Sequence, residues 1–168
     1  CRLDGSPGLE LGLALGDGWA AGRDKVCIPE SPGGIGLWIE QLIAESTGKL
    51  GKGLVPAPGE HADGPDRQLA EVRIAEPHDV GAEFFRWEFA TAVAGAALGI
   101  NPFDQPDVQA AKDRTGEILG RREAPDAAPV SSVDELLAQA RPGDYVAIQA
   151  FVDPTPAAEG RIGALAAA

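Results

Sequence analysis

Short apolar runs alternating with longer stretches of helical periodicity restrict the fold of this chain more than any other feature. Lys25–Ile28 and Gly53–Ala57 are brief apolar segments of strand character, and Leu69–Ala75 alternates apolar and charged residues as a half-buried strand does. Between and around them, Leu9–Ala21, Ile35–Ser46, Asp79–Leu98 and a segment from about Pro106 to Leu119 repeat apolar residues at helical spacing. Strands and helices that alternate at these lengths predict an α/β domain with a mostly parallel sheet.

Local chemistry marks the element ends. Gly22 stands where a helix C-terminus favours positive φ, and Ser31-Pro32-Gly33-Gly34 reads as a turn leading into a helix. That helix is expected to bury Leu37, Ile39, Leu42 and Ile43 on one face. Residues Pro58–Gln68 are turn formers and charges, hence a loop. Asp79 is a candidate cap for the long helix. In that helix Phe84, Phe85, Trp87, Phe89, Val93 and Leu98 supply bulk, and the small residues Ala90–Gly99 permit close packing. Trp19, Trp38 and Trp87 fall among apolar residues and are expected in the core.

From Arg121 to Pro129 the composition turns to charge, Ala and Pro, which reads as a linker. The expected organisation is one partial domain over 1–120, a linker over 121–130, and the start of a C-terminal segment over 131–168. In that segment Ser131 or Ser132 caps a helix over Val133–Ala140, Asp144–Val152 forms a strand, and a further helix begins after Pro154-Thr155-Pro156. No internal repeat is visible.

Charge narrows the function. With 26 acidic against 14 basic residues the net charge is −12, which excludes phosphate-backbone binding as the main activity. A chain that is 44% apolar and 24% charged lies in the ordinary globular range. The longest apolar run, Ala94–Ile100, is broken by glycine and is far short of the roughly 20 residues of a membrane span. The chain has no methionine and no signal segment after Cys1, and it stops within Ala164–Ala168, so both ends read as cuts in a longer chain. Cys1 and Cys27 give neither a metal spacing nor a disulfide framework, and a reduced, cytoplasmic setting is expected.

Two stretches carry candidate chemistry. Glu40–Gly53 sets a carboxylate, two hydroxyls and two lysines around glycines at the end of an apolar helix. A nucleotide phosphate loop fails there, because Gly48-Lys49 is followed by Leu50 and comes after a helix rather than before one. Lysines complementing a helix C-terminus are the plain alternative. In Ile100–Lys112, Asn101-Pro102 is a turn, Phe103 a core anchor and Asp104 an N-cap, with Lys112 on the helix that follows.

The two stretches in this order resemble the glucose-6-phosphate isomerase family. Phe103-Asp104-Gln105 with Lys112 is similar to the family's active-site segment and its downstream lysine. Glu45-Ser46-Thr47-Gly48-Lys49 followed by Gly51-Lys52-Gly53 is similar to the segment holding its catalytic glutamate. Leu37–Leu42 and Glu83–Thr91 look most like the isomerase half of proteins in which a transaldolase and a glucose-6-phosphate isomerase are fused. The likeness covers roughly residues 9–120.

It implies a sugar-isomerase (SIS-like) three-layer α/β fold, incomplete at both ends, that interconverts glucose 6-phosphate and fructose 6-phosphate through an enediol. By resemblance Glu45 is the proton shuttle, and Lys112 stabilises negative charge near the ring or enediolate oxygens. Gln105, Lys49 and Thr47 are the implied substrate contacts, with Lys52 adding positive potential. The family's ring-opening histidine is matched here by His61, for which a solvated loop histidine beside acids is the alternative; His78 reads as structural. No metal or redox cofactor is implied, and family members are commonly homodimers with shared active sites. Two other readings stand beside this one: a phosphosugar-sensing module without turnover, and an inactive structural piece of a larger enzyme.

Overall fold

The structure, a computed structural model, describes residues 5–121, 132–142, 144, 146, 148 and 150–166. It divides into two units, residues 1–123 and 124–168.

The first unit is built on helix α1 (Pro7–Ala20), strand β1 (Lys25–Ile28), a 3-10 turn at Pro32–Gly34, helix α2 (Ile35–Thr47), strands β2 (Val55–Pro58) and β3 (Arg67–Leu69), and helices α3 (Asp79–Leu98) and α4 (Pro106–Arg121). The three strands form a parallel sheet in the order β2-β1-β3. The α/β class and the parallel sheet are therefore as the alternation predicted. Being central, β1 needs apolar residues on both faces, and Val26, Cys27 and Ile28 are fully buried. Burial of Val26 and Ile28 contributes about 1.5–3 kcal/mol each. Burial also pushes the Cys27 thiol above its ordinary pKa, so this cysteine is inert packing.

Helix α1 begins with Pro7 in its first turn, where a missing N–H is harmless, and closes at Gly22 with φ +79°. Leu15 faces the core, while the contact with α3 is made by glycines. A Cβ on Gly12 would lie 2.6 Å from the Ala90 carbonyl oxygen, and one on Gly16 would lie 2.5 Å from Ala97 Cβ. Gly8 lies against Arg86 and Phe89, so the contacts advance together along both chains and α1 runs parallel to α3. The small residues of Ala90–Gly99 do permit the close packing expected of them.

Buried positions Ile35, Ile39, Ile43 and Thr47 recur every four residues along α2. Leu37, expected on that face, lies half a turn away and is 69% exposed. Trp87 is fully buried, and Trp19 and Trp38 pack against the core from its edge. The Trp38 ring meets Phe84 of α3 at 4.4 Å.

The strand expected over Leu69–Ala75 is not formed beyond Leu69; the strand is Arg67–Leu69, so Arg67 and Gln68, expected in the loop, belong to the sheet. After Ala70, whose N–H still donates to the Cys27 carbonyl at 2.9 Å, the backbone finds partners on side chains of α3: the Arg73 N–H donates to Glu83 Oε1, the Glu71 carbonyl accepts from Arg86, and the Ala75 and Glu76 N–H groups donate to Asp79 Oδ2. Asp79 is thus not a cap. Its carboxylate reaches backwards, and the Glu76 and Ala75 N–H groups hold its pKa below the ordinary value. Strand β2 starts two residues later than expected.

In the second unit, α5 (Val133–Leu137) starts at a complete capping box in which Ser132 Oγ accepts from the Glu135 N–H at 3.1 Å and Glu135 returns the bond. Ser131 lies outside the described residues. Helix α6 (Pro156–Ala166) follows as expected, with Thr155 Oγ1 accepting from the Ala158 N–H. Of the strand expected over Asp144–Val152, residues 145, 147 and 149 lie outside the described residues and the others are in no strand. A strand needs a neighbour to complete its hydrogen bonds, and no ladder forms among the described residues there. Among the described residues no helix is long and apolar enough to cross a membrane.

Candidate functional site

The segment after α2 folds back at once. Lys49 and Lys52 exchange backbone hydrogen bonds across a tight turn whose central residues, Leu50 and Gly51, have φ +56° and +70°, as in type I′ hairpin turns. The turn aims both lysine side chains at the far end of α3 and the residues beyond it. Lys49 Nζ donates to the Asn101 carbonyl at 3.0 Å, to Asp104 Oδ1 at 3.1 Å, and to the Asp104 carbonyl. Lys52 Nζ donates to the Leu98 carbonyl at 2.6 Å and lies over the Trp19 ring. Two stretches about fifty residues apart in sequence are thereby brought side by side.

Thr47 is fully buried, and its hydroxyl donates to the Ile43 carbonyl and accepts from the Leu54 N–H, fixing the passage from α2 into β2. Lys49 is 5% exposed. Glu45 lies on the opposite face of α2 from Ile43 and Thr47 and is exposed. Gln105 follows the turn and is exposed, and Lys112 is exposed on α4, a helix with no buried residue.

Two details differ from the sequence expectation. Phe103 is no core anchor: it is 83% exposed, on a turn fixed by its own N–H donating to Asn101 Oδ1. Asp104 is no N-cap. Helix α4 starts at Pro106, and the Asp104 carboxylate is instead turned to Lys49.

His61 lies elsewhere. The strands are parallel, so α2 returns from the C-terminal edge of β1 to the N-terminal edge of β2, where Thr47 meets Leu54. His61 comes after β2, at the C-terminal edge, where it lines a cavity of about 580 Å³ with Glu30, Asp63, Glu71 and Val72. Within one chain, therefore, His61 and the Glu45–Lys49 segment occupy opposite edges of the sheet. Arg67 organises the His61 loop by donating to the His61 carbonyl at 2.8 Å, Glu60 Oε2 at 3.2 Å and Asp63 Oδ1 at 3.4 Å. Among the described residues no group of three or more His, Cys, Asp or Glu converges as a metal site.

One charged cluster was not anticipated. Glu83 and Arg86 are both buried on α3, bonded through Arg86 Nη2 to Glu83 Oε1 at 2.5 Å and Arg86 Nε to Glu83 Oε2 at 2.8 Å. Glu83 Oε1 also accepts from Trp87 Nε1 and the Arg73 N–H, and Arg86 Nη2 reaches the Glu71 carbonyl. Burial alone would raise the Glu83 pKa; the bonds from Arg86, Arg73 and Trp87 outweigh it and hold the carboxyl below its ordinary value. The cluster fixes the Glu71–Arg73 segment that walls the His61 cavity. Its only trace in the sequence is the i, i+3 spacing, which is equally that of a solvated pair.

No protein-family model matches the chain. It is similar to the glucose-6-phosphate isomerase of Exiguobacterium sibiricum, at 40% identity over 62 residues, which is 36% of this chain and 14% of that enzyme. The glucose-6-phosphate isomerase of Leptospira interrogans is 38% identical over 63 residues, and that of Leptospira biflexa 38% over 64, again 14% of each enzyme's length. The similarity to phosphosugar isomerases thus covers little more than a third of this chain.

Proposed function

We propose that this chain is part of an aldose-ketose isomerase that interconverts glucose 6-phosphate and fructose 6-phosphate. The observation that carries the reading is the set of Lys49 bonds that join the Glu45 segment to the Asn101–Gln105 turn. These are the two segments whose residue types suit one reaction, and the similarity to glucose-6-phosphate isomerases agrees with it.

In this reading Glu45 takes the proton from C2 of the open-chain aldose while the carbonyl oxygen at C1 gains one, giving the enediol. The proton on Glu45 then goes to C1 as the C2 hydroxyl gives up its own, leaving the ketose. Lys112 stabilises the negative charge that develops on the enediol oxygens, and Gln105 hydrogen-bonds sugar oxygens. His61 serves ring opening. Since His61 and Glu45 lie at opposite edges of the sheet in one chain, the proposed assembly is a homodimer in which His61 of one copy completes the Glu45 site of the other. Thr47 and Lys49 serve the substrate from behind the reacting groups, because their polar atoms are already bonded within the chain. Fusion to a transaldolase is a further proposal, supported by the likeness of Leu37–Leu42 and Glu83–Thr91 to the fused proteins.

A coupled assay of fructose 6-phosphate conversion on the whole protein tests the reading, with Glu45→Gln alongside. The amide keeps the shape and removes the base, so turnover is expected to fall by about 10²–10⁴-fold with sugar phosphate binding retained. Unchanged turnover in Glu45→Gln removes Glu45 from the mechanism. Binding without any turnover in the unmutated protein would leave the phosphosugar sensor.

A further inference from the structure

Lys49 stands out because its ammonium is buried and fully used. An ammonium has three N–H donors, and the three oxygens it meets are the Asn101 carbonyl, the Asp104 carbonyl and Asp104 Oδ1. Two are backbone oxygens, so the contact fixes the course of the chain and not merely one side chain. All three belong to the short turn between α3 and α4, whose first half is packed through Pro102 onto Gly95 of α3, whereas Phe103, Asp104 and Gln105 are exposed and α4 buries no residue. The type I′ turn at Leu50-Gly51 sets Lys49 in place, and Lys52, bonded to the Leu98 carbonyl, anchors the same loop one step earlier on α3.

We infer that Lys49 is a positioning residue. It holds the Asn101–Gln105 turn against the C-terminal end of α2, so that Gln105 and the start of α4, which carries Lys112, are presented to Glu45, and it makes no contact with the sugar phosphate. A lysine with no donor left would have to break this turn loose in order to bind an anion. The kinetic consequence rests on the isomerase reading; the tie itself rests on the hydrogen bonds alone.

The test is made on the whole protein with Lys49→Met and Asp104→Ala, each followed by steady-state kinetics and by backbone amide hydrogen exchange. In Lys49→Met, exchange over residues 98–109 is expected to rise at least about 10-fold with β1 still protected. The kcat is expected to fall about 10–100-fold while KM stays within about 3-fold, because a displaced group loses transition-state alignment more than ground-state binding. Asp104→Ala, which removes one acceptor from a half-exposed side chain, should loosen the same residues less. A KM raised about 10-fold or more at unchanged kcat would show direct contact with substrate and overturn the inference. So would unaltered exchange over residues 98–109. If Lys49→Met loses protection in β1 as well, the fold has failed and Asp104→Ala decides, unaltered exchange again being fatal. A wild-type protein without isomerase activity sinks the isomerase reading, and the exchange data then judge the tie by themselves.

Discussion

The two edges of the parallel sheet are each secured by a buried charge, and they do it in opposite ways. At the C-terminal edge, Glu83 and Arg86 neutralise each other within one turn of α3 and use their spare capacity on the backbone of residues 71 and 73. At the N-terminal edge, Lys49 has no equally buried counter-ion among the described residues. It is satisfied by two carbonyl oxygens and by Asp104, whose side chain is 53% exposed. A self-neutralised pair makes a rigid wall. A cation satisfied mainly by backbone oxygens instead ties down a turn whose residues Phe103–Gln105 are exposed. Glu45 lies at the edge with the second kind of tie, and the cavity lined by His61 lies at the edge with the first.

The largest effect is expected from Glu83→Ala. It leaves Arg86 buried without its counter-ion and the Trp87 and Arg73 N–H groups unpaired, a loss of about 3–5 kcal/mol in denaturant unfolding. A loss under about 1 kcal/mol would mean that the wall is held by packing, and the contrast between the edges would disappear. The same carboxyl gives the wall a pH dependence. Its pKa in the folded chain lies below its ordinary 4.5, so its contribution is complete above that pH and is lost as pH falls through and below it. Glu83→Gln should therefore flatten the acid limb of a stability profile, and an unchanged limb would assign acid unfolding to other carboxylates.

A mid-helix change should spare the contrast while weakening both edges. Gly12→Ala forces a Cβ to within 2.6 Å of the Ala90 carbonyl oxygen and Val93 Cβ, at a cost of about 1–3 kcal/mol. Exchange should rise over Glu71–Arg73 and Asn101–Gln105 together; loosening of one edge alone would show that α3 does not link them. The smallest effect is a gain. Leu50 holds φ +56° and is exposed, so Leu50→Gly should relieve about 1 kcal/mol of left-handed strain. A thermal melt would read it, and a lowered Tm would mean that the added unfolded-state freedom of glycine outweighs the strain relieved.

Elements whose identity depends on local periodicity were visible from the residues alone. Asp79–Leu98 is a helix with the bounds that its pattern gives, and Lys25–Ile28 is the short buried strand that its residues predict, central in the sheet. Glycine was harder to read. Along α1 the apolar periodicity marks the helix, yet Gly8, Gly12 and Gly16 make the contact with α3, since the closest approach of two helices needs the absence of a side chain. The four-residue spacing of those glycines was the available signal. At the candidate site, the family resemblance pointed to Glu45, Gln105, Lys112, Lys49, Thr47 and His61, but spacing could not say which of them share an edge.

The sequence by itself determined the alternation of helix and strand, the short buried strand over Lys25–Ile28 and the two segments that carry the family resemblance. These depend on each residue's own preferences and on neighbours within a turn or two. Tertiary structure alone decided that Leu69–Ala75 leaves the sheet after Leu69, that Asp104 turns to Lys49 rather than to its own helix, and that His61 lies across the sheet from Glu45. Each of these outcomes depends on which buried donor meets which acceptor from a distant segment, and that pairing exists only once the chain has closed on itself.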